Sequence, residues 1–393
     1  MSKIRFLTSG ESHGQGLSII IEGIPAGLRL DEDYIRKDLA RRQKGYGRGG
    51  RMQIEKDRAL IKSGVRHGVT LGSPIGLWIQ NRDWENWQEV MAVETVNGQV
   101  KKVTRLRPGH ADMAGILKYQ QDDVRNILER ASARETAARV AVGAVCKKLL
   151  SELSIEIHSN TLSIGGHEVE KAMPEDWNVV EESVVRCHEP EAAKKMVAAI
   201  DAAKESGDTV GGVFQVVASG APIGLGSHVH WDRKLDANLA QAMMSINAVK
   251  GVEIGPGFQQ AQMMGSQVHD VIAPFDGTRE RKWKRVSNRA GGIEGGMSNG
   301  EDIVVRVAIK PISTLAKPLP SVDLATGEKI QAHYERSDVC QAPPGGIVGE
   351  AMMAIVLADA VMDKFGGDHV EETVRNYRSY LETVEAPVGS GAD

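Results

Sequence analysis

Two histidines in tight polar turns are the side chains of this chain best suited to moving a proton. His13 lies in Gly10-Glu11-Ser12-His13-Gly14, and His110 in Arg105-Leu106-Arg107-Pro108-Gly109-His110-Ala111-Asp112. Imidazole titrates near neutrality, so a histidine on a turn at a strand end can hand a proton to a leaving group. Cations crowd the same sequence. Arg41 to Arg51 reads Arg-Arg-Gln-Lys-Gly-Tyr-Gly-Arg-Gly-Gly-Arg, with five positive charges, four glycines and no acid, in a chain of formal net charge −4. Glu129-Arg130-Ala131-Ser132-Ala133-Arg134-Glu135-Thr136 adds two arginines at i,i+4 spacing, where like charges repel unless Glu129, Glu135 or a bound anion compensates. Arginine forks beside bare amides grip phosphate or carboxylates. The expected chemistry is proton transfer on an anionic ligand.

Other sites fit less well. Gly45-x-Gly47-x-x-Gly50 matches a dinucleotide fingerprint in letters only, because a helix precedes it and its variable positions are bulky or cationic. No Gly-Lys dipeptide occurs, which removes the phosphate-binding loop of nucleotide hydrolases. His228-Val229-His230 has no obvious third ligand, so no metal is expected. Cys146, Cys187 and Cys340 are too far apart for a zinc or redox motif and read as reduced thiols. Aromatics are only 4% of the chain and Tyr46 stands alone in the basic loop, which argues against an RNA-binding protein. The N-terminal apolar stretch is too short for a secretion signal, and Ile347 to Met362 is too short and too charged to span a bilayer. The expectation is a cytoplasmic protein with neither nucleic-acid nor membrane partners.

These residues must be carried on mixed elements. Periodicity predicts helices at Asp33 to Gln43 (with Asp31 at its cap), Glu191 to Glu205, Lys234 to Ile246, Ile347 to Phe365 and Val370 to Val384. A helical block from Ala111 to Leu153 breaks near Asp122 and Ala131. Strands are expected at Ile4 to Leu7, Ala59 to Ser63, Ile75 to Ile79, Ile155 to Ile164, Val213 to Ala218 and Ile303 to Ile309, with turns at Ser245 to Ala248, Gly291 to Gly296 and Pro343 to Gly346. This is an α+β pattern, not a regular βαβ alternation. Ser63-Gly64 with Ser73-Pro74-Ile75-Gly76 echoes Ser219-Gly220-Ala221-Pro222-Ile223-Gly224, a hint of internal duplication.

Taken together, the segments resemble the chorismate synthase family. Gly-Glu-Ser-His-Gly, the Arg-Arg-Gln-x-Gly-Tyr-Gly-Arg-Gly-Gly-Arg run, Arg-Pro-Gly-His-Ala-Asp, Ser-Ala-Arg-Glu-Thr, Gly-Gly-x-x-Gly-Gly-Met-x-Asn-Gly, Lys-Pro-Ile-x-Thr and Arg-Ser-Asp occur in order between residues 10 and 338. The resemblance implies a single-domain β-α-β sandwich with internal pseudo-two-fold symmetry over 1–385, a flexible tail at 386–393, and a homotetramer. It implies a lyase of the shikimate pathway that makes chorismate from 5-enolpyruvylshikimate 3-phosphate by anti-1,4-elimination of phosphate and a ring proton. Reduced FMN is required without net redox change, and NADPH is a possible source of electrons.

By position, the resemblance makes His13 the proton donor to the departing phosphate and sets His110 against charge on the flavin. Asp338, with Ser12 and Ser132 as relays, handles the proton at flavin N5. Arg48, Arg51, Arg107, Arg134 and Arg336 hold the substrate. The flavin falls to Arg130, Ala131, Ser132, Asn247, Ala248, Gly295, Lys310, Pro311, Ile312, Ser313, Thr314 and Arg336, and NADPH to Arg42 and Arg48. Many relatives have Ser where this chain has Ala131, so only a backbone contact carries over there. The rival enzyme reading is a flavin- or NADPH-dependent reductase of an anionic small molecule.

Overall fold

The computed structural model describes residues 3–49, 56–96, 98, 100–274, 283–335 and 337–385. β1 (Arg5–Ser9) and β2 (Gly16–Glu22) lead to α1 (Glu32–Gln43), then to β3 (Ala59–Ser63) and β4 (Ile75–Gln80). The strands pair antiparallel in the order β1-β2-β4-β3. Strand alternation sends Leu17, Ile19 and Ile21 inward, each opposite an apolar partner on β4: Ile79, Leu77 and Ile75. The helix starts where Asp31 accepts the Tyr34 amide at 2.7 Å, and its Ile35 and Leu39 are fully buried.

An irregular insertion carrying α2 (Asp112–Tyr119) and α3 (Arg125–Ala131) then delivers the chain to the long helix α4 (Thr136–Ser151). The pattern repeats. β5 (Glu156–Ile164), a short β6 (His167–Glu168), α5 (Pro190–Glu205), β7 (Gly212–Ser219), α6 (Leu235–Met244), β8 (Val249–Ile254) and β9 (Ile303–Ile309) follow. A second insertion precedes α7 (Ala342–Phe365), and α8 (Val370–Glu385) comes last. The second sheet runs β8-β9-β7-β5-β6, all antiparallel. Without the edge strand β6 and the helix α5 inserted between the first two strands of the second half, both halves are two strands, a helix and two strands, paired in the same order and followed by an insertion and a central helix. This is the expected β-α-β sandwich with pseudo-two-fold symmetry.

The helices fill the space between the sheets, and one apolar cluster runs from Ile4 to Val370 through both halves. α4 and α7 cross at Gly143, where a Cβ would fall 2.3 Å from that of Ala351. Glycine is required there by the closeness of the helices. α7 is long and apolar enough to cross a membrane, but it is the central core helix and most of it is buried. It also starts earlier than its pattern indicated. Pro343 to Gly346 is its first turn and not a free turn, because a proline at a helix start gives up an N–H that has no partner within the helix.

Duplication is present, but the echo had the wrong register. Ser63-Gly64 joins the third and fourth strands of its half, whereas Gly220 to Gly224 follows the second strand of the other. The topological counterpart is Gly23-Ile24-Pro25-Ala26-Gly27, after β2. Gly23 (φ 94°), Gly27 (φ 86°), Gly220 (φ 76°) and Gly224 (φ 87°) all take the left-handed backbone that favours glycine.

Candidate active site

A cavity of about 800 Å³ opens where the two insertions meet the first turns of α4 and α7. Ala133, Arg134 and Thr136 line it from one helix start, and Gln341, Pro344 and Gly345 from the other. The N-terminal ends of both central helices, which favour negative charge, therefore face one space. The β1–β2 turn brings Ser12 and His13 to its wall. Buried Asn81 at the end of β4 holds that turn: its Nδ2 donates to the carbonyls of Glu11, Ser12 and Gly14 at 3.0, 3.2 and 2.7 Å, and its Oδ1 accepts from Arg134 Nε at 3.0 Å. Ser12 Oγ lies 3.1 Å from Ser132 Oγ.

Each histidine has a buried carboxylate at Nδ1. His13 Nδ1 is 2.9 and 3.1 Å from the two oxygens of Glu129, and its ring lies 4.0 Å from Trp87. His110 Nδ1 is 2.5 Å from Asp112 Oδ1. Burial opposes ionisation of both acids, but the histidines and arginines around them win. Glu129 is lowered by His13 and Arg125, and Asp112 falls well below the usual range beside His110 and Arg107.

The cations are anchored by acids from distant segments. Asp338 accepts from Arg48 Nη1 and the Gly49 amide, both at 2.7 Å. Asp57 sits 2.6 Å from Arg134 Nη1 and 3.7 Å from Arg42 Nη1. Arg42 also donates to Thr136 Oγ1 and the Ala133 carbonyl, which ties α1 to the start of α4. Burial, with Arg48 and Arg134 nearby, lowers the Arg42 guanidinium to about 10, although Asp57 opposes this. Arg107 clasps Asp112 through Nε and Nη2. Burial and Lys250 push the Lys310 ammonium down. Such an array can hold a multiply charged anion, protonate its leaving group and keep water out.

The model of the chorismate synthase family matches residues 4–362. A chorismate synthase of Moorella thermoacetica is 56% identical over 387 residues, which is 97% of this chain and all of that protein. One of Aquifex aeolicus is 55% identical over 98% of each chain. A crystal structure of chorismate synthase superposes with a TM-score of 0.78 at 46% identity, covering 97% of this chain and 98% of that one. The chain belongs to the chorismate synthase family.

The family's motif residues gather as the resemblance implied, with exceptions. Ser12, His13, Arg42, Arg48, Arg107, His110, Ala131, Ser132, Arg134, Asn247, Ala248, Lys310, Ile312, Ser313, Thr314 and Asp338 all line the cavity. Arg130 does not: it is exposed and donates to Thr8 and the Gly10 carbonyl. Pro311 and Gly295 also lie off the lining, Gly295 with its nearest side chain at His228. Arg51 and Arg336 lie outside the described residues.

Two readings of the sequence are corrected. Arg41 turns away from the cavity to Glu181 and Glu350, so the basic run does not act as one anion grip. Arg130 and Arg134 share no helix, because Ser132 (ψ 142°) ends α3; Glu129 and Glu135 are spent on His13, Arg125 and Arg139, and Asp57 is what neutralises Arg134. Trp87, Glu335, Asp57 and Asn81 were missed. Only Asp112 and Glu129 stood within recognisable motifs, and their partners were not legible.

Proposed function

We propose that this chorismate synthase family member converts 5-enolpyruvylshikimate 3-phosphate to chorismate by anti-1,4-elimination, acting as a carbon-oxygen lyase with reduced FMN and no net redox change. The observation that carries the reading is the convergence of His13, His110, Asp338 and four arginines on one cavity at two helix starts. Its volume is near the top of the roughly 300–1,000 Å³ range of small-molecule pockets, as two adjacent ligands require.

The residues fit a flavin. Among the described residues, buried Asn247 Oδ1 has no hydrogen-bond partner, while its Nδ2 donates to the Ala131 carbonyl at 3.1 Å, so it offers an acceptor to a ring N–H. Lys310 to Thr314 and Ala248 would hold the rest of the group, with Ser132 at its edge. Bound there, reduced FMN supplies transient electron donation to the substrate ring and acceptance of its hydrogen.

The protein's own groups do the remainder. Arg48, Arg107 and Arg134 hold the anionic groups, and the two helix starts add partial positive charge without reorganisation. His13 gives a proton from Nε2 to the leaving phosphate, since Nδ1 belongs to Glu129. His110 offsets charge at the flavin. Asp338, with the Ser12 and Ser132 hydroxyls as relay, handles the ring proton. Arg42 and Arg48 are the residues that would contact NADPH, though FMN reduced elsewhere suffices. We place the enzyme in the cytoplasm as a homotetramer; exposed Trp231, Phe258 and Met264 are suited to subunit contact, and sedimentation tests this.

The deciding experiment is anaerobic. Mixing protein, reduced FMN and substrate yields chorismate and returns the flavin spectrum to the reduced form. NADPH consumed one for one with product would instead establish a reductase.

A further inference from the structure

We propose that Glu129 is the positioning residue through which His13 acts: it fixes the proton of the neutral ring on Nδ1, aims Nε2 into the cavity and supports the charged ring. The inference rests on the reading of His13 as proton donor.

Glu129 holds this loop at several points. Its carboxylate meets His13 Nδ1 at 2.9 Å and accepts the His13 backbone amide at 2.7 Å. Its own carbonyl accepts the Ser12 amide at 3.1 Å. The side chain is buried, and Arg125 Nη1 donates to it at 2.7 Å, which keeps a carboxylate there and not a neutral acid. Trp87 closes one ring face, with Arg125 lying 4.9 Å from the Trp87 ring, so the imidazole is clamped in its plane and along its edge. A carboxylate on one ring nitrogen selects the tautomer and stabilises the imidazolium, while the opposite nitrogen works.

The arrangement occurs twice. Asp112 holds His110 Nδ1 and is itself clasped by Arg107. Glu335 lies between the two assemblies, 3.2 Å from Arg125 and 4.0 Å from Arg107. A lone His–Glu contact could be incidental. The same carboxylate–arginine backing behind both cavity histidines points to a shared demand for a fixed Nδ1–H.

The test is a double-mutant cycle on the full chain with reduced FMN, plus ¹⁵N NMR of the histidine rings. Glu129→Gln keeps the shape but loses the charge and one acceptor; single-turnover rate is expected to fall about 10- to 100-fold with substrate affinity nearly unchanged. Glu129→Asp recovers part of that rate. His13→Ala combined with Glu129→Gln costs no more than His13→Ala alone, because the second residue acts through the first. Additive losses would overturn the inference, since a purely structural role gives them. The wild-type protein supplies an arm that no folding defect can obscure: neutral His13 carries its proton on Nδ1, and finding it on Nε2 sinks the proposal. If His13→Ala is harmless yet the Nδ1 tautomer holds and Glu129→Gln disturbs it, the proton-donor reading fails while this positioning role stands.

Discussion

Arg41 and Arg42 are neighbours in sequence and enter two different charge clusters. Arg41 joins Lys147 and Arg186 around Glu350, a carboxylate with no exposure in the middle of α7. Asp38 and Glu181 supply the remaining negative charge, and Ser159 donates to Glu350 at 2.6 Å. The cluster ties α1, α4, β5 and α7 together. Arg42, with Arg48 and Arg134, instead borders an open cavity, anchored by Asp57 and Asp338 along one side. Each brings three of these cations together with carboxylates. What separates a site from a fastening is whether the carboxylates enclose their cations or only brace them from behind, toward a space fed by helix N-termini.

The comparison makes opposed predictions. His13→Ala and Asp338→Ala each lower turnover at least about tenfold, while FMN still binds and folding is intact; near-normal single-turnover rates in both would dissolve the distinction. Glu350→Leu does the reverse. It strands Arg41, Lys147 and Arg186 and is expected to cost about 3–5 kcal/mol in chemical denaturation, with turnover of the folded enzyme largely kept. A loss below about 1 kcal/mol would mean the cluster is not a buried network.

A smaller effect comes from acid. Burial raises the Glu335 carboxyl, but His333, Arg125 and Arg107 outweigh it and bring it from the ordinary 4.5 to about 2. The unfolded chain therefore binds the proton first. The stability Glu335 contributes is complete above 4.5 and is lost as pH falls from there toward 2. Glu335→Gln should flatten the denaturation midpoint against pH in that window; an unchanged slope would locate the acid sensitivity elsewhere. Smallest of all, His228→Ala with His230→Ala should shift stability by under about 0.5 kcal/mol and leave zinc content unchanged, since His230 is exposed and paired with Asp232 at 2.8 Å.

Much of the architecture was legible because its elements are locally determined. The strand Ile303–Ile309 and the capped helix Glu32–Gln43 carry their own periodicity and boundary residues. The histidines and arginines of the site were legible too, since unusual residue types in glycine turns stand out. Their partners were not. Asp57 and Asn81 lie in unremarkable stretches and meet Arg134 only because the lead into β3, the end of β4 and the start of α4 converge. Nothing in the local sequence separates Arg41 from Arg42 either; one helical position rotates the side chain from the cavity toward α7. The duplication was seen but misregistered, because the matching segments are loops whose alignment depends on strand order.

The two halves each contribute one insertion and one helix start to the same hollow, and this constrains how the enzyme comes into being on the ribosome. His13 leaves the ribosome long before the opposing wall at Asp338 and Gln341 to Val348. A nascent chain holding only the first repeat has about half of the residues that line the cavity, and the ligands proposed for it would lack their full set of contacts. Any folding assisted by the proposed flavin and substrate is thereby confined to chains that carry both halves.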